Sequence, residues 1–278
     1  MSQAVNSNLK RIAENTVYRI PGAKNLVQRL RHKKPPPEFV GWGMSTNRVP
    51  PWANADNKLA QDFLKVHNEV VQAVKDGRFR LTQFETMKEL NIEKHLKTLM
   101  WRHFMVFWTA RFAANANGKS IAECGVCDGL TVYFAMKALN NSKKAYLYDI
   151  WGKMPGEMLL DSEKRHAEDY EYLSLDTTKK NLEGLDAVYV KGFIPDSFKT
   201  VDSPKDVVWL HIDLNASQPT KDSLEEFYDK MPPGGVILFD DYAGRAFADT
   251  REVVNAFFAD KNGIFLPMPT GQGVFFKW

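Results

Sequence analysis

Two apolar, β-rich runs that each stop on acid constrain this chain more than anything else in it. They are Val207-Val208-Trp209-Leu210-His211-Ile212-Asp213 and Gly235-Val236-Ile237-Leu238-Phe239-Asp240-Asp241, and the residues between them read as one helix and a Pro-Pro-Gly-Gly turn. Strand, helix, strand makes an adjacent parallel pair. A buried strand ending on Asp carries that carboxylate to the sheet edge, where open α/β folds bind ligands. Adjacent strands then bring Asp213, Asp240 and Asp241 close together. Like charges that close are costly unless protonated or shared by a cation, and hard oxygen ligands favour Mg²⁺ or Ca²⁺. The alternative is that one Asp meets a metal-free substrate while the others cap neighbouring helices.

The rest of the chain supplies the sheet those strands need. Strands are expected at 120–124, 145–149, 187–191, 263–268 and 273–277, with helices at 130–139, 175–182, 221–230 and 250–259. Strands alternating with helices mean a mostly parallel sheet. Ahead of it, Leu59, Phe63, Val66, Val70 and Val74 recur at helical spacing over 54–75, with Gly77 as the stop. A second helix over 92–115 carries Trp101, Phe104, Phe107, Trp108 and Phe112; such a stripe is core, and part of it could also wall a pocket. Repeated Pro rules out regular helix over 35–52, which reads as an extended segment available to roof a site. The expected division is an N-terminal extension or helical cap over 1–90 and an α/β domain over 91–278.

Composition narrows the partners. A formal charge of +3 over 278 residues does not argue for nucleic acid, and the basic run Arg29 to Lys34 reads as a solvated helix end before Pro35-Pro36-Pro37. No segment reaches the ~18 apolar residues of a membrane span, and the N-terminus lacks the apolar core of a secretory signal, so cytoplasm is the expected compartment. The only cysteines, Cys124 and Cys127, form a C-x-x-C with no second pair, which favours packing over zinc or redox chemistry. The sequence is compatible with a homo-oligomer.

The first strand runs into Glu123-Cys124-Gly125-Val126-Cys127-Asp128-Gly129. This turn lacks the G-x-G-x-x-G triplet that cradles a pyrophosphate, so it suits a ligand without one, such as S-adenosylmethionine (SAM). Asp149, at the end of the second strand, is placed to accept hydrogen bonds from both ribose hydroxyls. A structural turn at Gly125 and a helix cap at Asp149 is the plainer alternative.

With these residues goes a string of others in matching order: Tyr148-Asp149-Ile150-Trp151-Gly152-Lys153-Met154-Pro155, Lys191-Gly192-Phe193-Ile194-Pro195-Asp196-Ser197, Asp213 through Ser217, Thr220 and Ser223-Leu224, then Pro233-Gly234-Gly235, Asp240-Asp241-Tyr242 and Gly271-Gln272-Gly273-Val274-Phe275. From about residue 120 to 278 the chain resembles the macrocin O-methyltransferase (TylF-like) family of SAM-dependent methyltransferases. The resemblance implies a class-I methyltransferase fold, Rossmann-like, with a seven-stranded sheet and a reversed C-terminal hairpin, behind a helical N-terminal extension. It implies Mg²⁺-dependent methyl transfer to a hydroxyl of a sugar or glycosylated small molecule. The metal carboxylates fall on Asp213, Asp240 and Asp241. The SAM contacts fall on Glu123, Gly125, Val126, Cys127, Asp128, Gly129, Asp149, Ile150, Trp151, Gly192 and Phe193. The polar stretch 152–169 is expected to be a mobile lid.

One position departs from the family. Where it commonly has a second acid, two residues after the first metal Asp and a candidate general base, this chain has Asn215, which takes no proton at neutral pH. The catalytic candidates are therefore Asp213, Asn215 and His211, the last on the same strand face one layer deeper and expected to be a buried structural histidine. Rival expectations are an O-methyltransferase of a catechol-like diol, whose adjacent oxygens chelate one ion, and a non-catalytic partner protein with the same fold.

Overall fold

The computed structural model describes residues 58–85, 91–164, 167–244 and 248–278. The residues expected to roof a site, 35–52, lie outside them. Seven strands form one sheet: β1 Ser120–Cys124, β2 Lys144–Asp149, β3 Ala187–Lys191, β4 Val207–Ile212, β5 Val236–Phe239, β6 Gly263–Pro267 and β7 Gly273–Lys277. Their order is β3-β2-β1-β4-β5-β7-β6, with β7 antiparallel to both neighbours and the other pairs parallel. This is the class-I methyltransferase sheet with its reversed hairpin.

The helices follow from the same periodicities. They are α1 Lys58–Lys75, α2 Thr82–Glu85, α3 Ile92–Thr98, α4 Met100–Ala113, α5 Leu130–Ala138, α6 Leu175–Asn181, α7 Ser217–Phe227 and α8 Ala248–Phe258. The single helix expected over 92–115 is two. Asn91 caps the first by accepting from the Lys94 N–H at 2.9 Å, and Leu99 (φ −88°, ψ −2°) interrupts the axis before α4 begins. The four-residue α2 was not foreseen; its support is tertiary and comes from the site below.

Both sheet faces are covered, which is why β4 is buried at all six positions and apolar at every one but His211. On one face Trp209 lies under α4, its indole N–H donating to Thr109 Oγ1 at 3.1 Å, with Phe107 and Phe134 in the same cluster. On the other, Leu210 and Ile212 meet Leu224, Phe227 and Val254 of α7 and α8. Each such side chain contributes about 1.5–3 kcal/mol by leaving water. Helix α1 belongs to the first cluster: Phe63 is fully buried, its ring 5.4 Å from Phe104 and 5.6 Å from Phe134. From Lys58 onward, then, the segment assigned to a separate cap shares the core of the α/β body. The boundary expected at residue 90 marks where the family resemblance gives out, and α1 lies before it.

Candidate active site

The chain runs outward from β1 to β2 and β3 on one side and from β4 to β5 on the other, so the order reverses between β1 and β4. A crevice opens at the carboxyl ends of strands at such a point. Here the β1 turn lies directly against the end of β4. Gly125 (φ +87°) donates its N–H to Tyr148 O at 2.8 Å, and a Cβ at this position would stand 1.8 Å from Asp213 O. Only glycine permits that approach. Asp213 in turn donates its N–H to Cys124 O at 2.8 Å, and Asp240 donates to Ile212 O at 3.1 Å, so the ladder runs on into the acids.

Asp149 holds the turn from the other side. Its Oδ2 accepts from the Val126 and Cys127 N–H groups at 2.7 and 2.8 Å, and its Oδ1 from the Trp151 N–H at 2.6 Å. Burial pushes this carboxyl up, against the opposing pull of those N–H donors. An ionised carboxylate has about four acceptor positions. With three directed at backbone, Asp149 has little left for the two ribose hydroxyls expected of it; its first task is to tie the β1 and β2 turns together. Cys127 (φ +52°) and Trp151 (φ +40°) sit in the left-handed region as a result.

Two cavities meet at this junction. The first is lined by Gly125, Cys127, Asp149, Ile150, Gly192 and Phe193, and closed by Met154, Tyr170 and Leu173. The second is lined by Arg102, His103 and Val106 of α4, by Val126 and Asp128, by Asp240, Asp241 and Gln272, and by the apolar Leu81, Leu99 and Leu130. Gly125, Cys127, Tyr170, Asp213 and Asn215 line both. Asn215 (φ +52°) donates its side-chain N–H to Tyr170 Oη at 3.2 Å across this shared wall. Burial first, then the nearby Asp213, pushes the Tyr170 phenol well above its ordinary range, so it is a neutral hydroxyl.

The three acids are gathered as expected, and their charges are unequal. Burial, then Asp240 and Asp241, raises Asp213 well above the carboxylate range. Burial and the charge of Asp240 push Asp241 up to about 6, with a hydrogen bond to Asp213 opposing. Asp240 feels burial most strongly, but Arg102, His211 and Gln272 together outweigh it and hold it low. Arg102 Nη2 pairs with Asp240 Oδ2, donates to Asp240 O at 2.7 Å and lies 3.8 Å from Asp241 Oδ1. Gln272 Nε2 donates to Asp240 Oδ1 at 3.0 Å. Among the described residues no group of three His, Cys, Asp or Glu side chains forms a ready ion site. Both carboxylate oxygens of Asp240 are held by protein donors, Arg102 and Gln272.

Several expected site residues serve elsewhere. Glu123 and His211 are buried beneath the junction, Oε1 and Nδ1 2.8 Å apart, and line neither cavity; the His211 Nε2 and Glu123 Oε2 find no hydrogen-bond partner among the described residues. Register explains this, since Glu123 and His211 are paired neighbours one step inside the strand ends. Trp151 is also buried away from the cavities, its Nε1 donating to Thr178 Oγ1 at 2.9 Å. Gly129 lines neither cavity and caps α5 at φ +86°. Asp128 lines the second cavity, but its carboxylate accepts from the Thr82 N–H and hydroxyl, both at 2.7 Å, which is what supports α2. Within the stretch expected to be a lid, the buried Glu163 accepts from the Ser217 N–H at 2.7 Å, at the first turn of α7. Arg102, Tyr170, Gln272 and Glu163 were not expected as site residues. Arg102 lies in the aromatic stripe of 92–115, Glu163 in the polar stretch 152–169 and Gln272 in the Gly271 to Phe275 run, and no local pattern marks what their side chains meet.

The profile of the macrocin O-methyltransferase (TylF) family matches residues 109–277. No curated protein matches the sequence. Among solved structures, the O-methyltransferase NovP is similar over 64% of this chain and 80% of its own, at 17% identity and a TM-score of 0.56. CalS11, a calicheamicin methyltransferase, is similar over 83% of this chain and 94% of its own, at 14% identity and a TM-score of 0.53. At those identities the likeness speaks for the fold.

Proposed function

The chain belongs to the macrocin O-methyltransferase (TylF) family and is a SAM-dependent O-methyltransferase; from that premise we propose that its acceptor is a hydroxyl of a sugar or glycosylated small molecule, bound in the second cavity beside Asp213, Asp240 and Asp241. The observation that carries this reading is the shared wall. A donor cavity and an acceptor cavity that meet at Gly125, Cys127, Tyr170, Asp213 and Asn215 are what transfer between two bound molecules requires.

SAM, when bound, supplies the methyl group on its sulfonium. The first cavity fits it: the bare Gly125 backbone permits close approach, Gly192 and Phe193 wall the far side, and Asp149 fixes the turn. Met154, Tyr170 and Leu173 keep water from the reacting centre. Asn215 and Tyr170 stand at the wall between the cavities, where they orient the acceptor oxygen. Asn215 holds that oxygen and does not take its proton.

The donor chemistry of the acid cluster, three carboxylates at one sheet edge, supports reading it as the seat of a divalent ion, although Arg102 now pairs with one of them. Asp213, Asp240 and Asp241 would hold Mg²⁺ or a similar cation, which supplies a Lewis acid that lowers the pKa of a bound hydroxyl. The apolar Leu81, Leu99 and Leu130 on the acceptor wall favour a second reading, a planar catechol-like diol. One experiment separates them. Incubation with SAM, Mg²⁺ and a panel of glycosylated metabolites and catechols, followed by mass spectrometry, is expected to show a 14-dalton gain on a sugar hydroxyl. Gain on catechols alone would replace the sugar reading, and no gain on any member would leave both without support.

A further inference from the structure

The guanidinium of Arg102 occupies the acid cluster as a resident cation. It rises from the first turn of α4, pairs with the Asp240 carboxylate, donates to Asp240 O at 2.7 Å and to Thr270 O at 3.4 Å, and lies 3.8 Å from Asp241 Oδ1. Gln272, fully buried, secures the other carboxylate oxygen of Asp240 at 3.0 Å. A divalent ion seated on these acids needs oxygens that Arg102 and Gln272 already hold, and its charge would repel the guanidinium beside it.

We propose that Arg102 is a positioning residue that competes with the divalent cation for Asp240 and Asp241, so that ion entry displaces its guanidinium and weakens its hold on the 270–272 turn. This rests on the reading of the acids as an ion site. It goes beyond that reading in making ion affinity a property of α4, outside the ligand set. An arginine that only braced the fold would lower ion affinity when lost, because the acids would lose their arrangement. A competitor does the opposite. The sign of the change therefore separates the two roles.

The test is a Mn²⁺ titration of the full chain, followed by the electron paramagnetic resonance of free Mn²⁺, on wild type, Arg102→Gln and Asp241→Asn. The expected result is that Arg102→Gln, shown folded by circular dichroism, binds Mn²⁺ at least about tenfold more tightly than wild type, a change of about 1.4 kcal/mol. Asp241→Asn is expected to bind weakly. Equal or weaker binding by folded Arg102→Gln overturns the competition and leaves the ion site standing. Absence of binding in both wild type and Arg102→Gln overturns the ion site and the competition with it. Hydrogen exchange of the wild type gives a second reading that needs no variant. Saturating Mn²⁺ is expected to speed amide exchange in the 270–272 turn severalfold as Arg102 lets go, and unchanged or slower exchange there overturns the displacement.

Discussion

The side-chain amide of Asn215 donates to the hydroxyl of Tyr170 at 3.2 Å, across the wall common to both cavities. The pair joins the loop after β4 to the segment that closes the first cavity. Losing the amide should therefore misplace the acceptor oxygen. Asn215→Ala is expected to lower kcat about tenfold or more while leaving SAM affinity within about twofold, the loss of an orienting hydrogen bond worth about 1.4 kcal/mol. Asn215→Asp keeps the contact with donor and acceptor exchanged and adds an acid at the wall, so its rate should exceed wild type above neutral pH. Steady-state kinetics across pH, beside calorimetry of SAM, checks both. Normal turnover in Asn215→Ala would remove the side chain from the reaction.

Asp149 carries a larger structural share than its place at the end of β2 suggests. Asp149→Ala leaves the N–H groups of Val126, Cys127 and Trp151 without their acceptor. Unpaired buried donors cost about 1–3 kcal/mol each, and water entering the space recovers part of that. The variant should lose about 2–4 kcal/mol of stability as well as SAM affinity. Urea unfolding tests this. A variant with wild-type stability that binds SAM poorly would restore Asp149 to a purely ligand-binding role.

Gly125→Ala should be far more damaging than its one methyl implies. The added Cβ meets the backbone oxygen of Asp213 at 1.8 Å, and φ is +87°. Backbone cannot yield as a flexible side chain can, so the turn must lift off β4. Gly156→Ala is the control, since nothing lies within 4 Å of its Cβ position and its φ is ordinary. Loss of SAM binding in the first variant and near wild-type behaviour in the second is the expected result, read by calorimetry and thermal melting.

Stability should fall with rising pH through the titration of Asp241. Its folded-state value, about 6, lies above the unfolded value near 3.9. Folding therefore favours the protonated form; that contribution is complete below about pH 4 and is lost as pH rises through about 6. The change is at most about 3 kcal/mol. Asp213 is raised too and acts in the same direction, whereas Asp240 is lowered and acts only at more acid pH. Asp241→Asn cannot ionise, so its stability relative to wild type should grow between pH 4 and 7 when measured with a chelator present. A constant difference across that range would contradict the crowding of the acids.

The acid-tipped strands show what sequence alone could decide. Apolar runs of β-formers flanking a helix admit little but parallel neighbours, and strand register then places Asp213 beside Asp240 and Asp241. Gly125 is legible for a similar reason: a turn tight enough to open a ligand crevice requires the conformational freedom that glycine has. The period-2 and period-3.6 patterns also located nearly every strand and helix, because they record which face each element buries. Other features needed the fold. Arg102 lies 138 positions before Asp240, and nothing around it marks it as the partner of an acid. Thr82 and Asp128, and Glu163 and Ser217, likewise meet only after the helices have packed. The depth of His211 follows from strand alternation below Asp213, but that Glu123 lies at the same depth needed the pairing of β1 with β4. Local sequence decided the elements and the residues at their tips, because backbone geometry and burial act over a few positions. Tertiary structure decided the charge balance of the site, because opposite charges find each other through space.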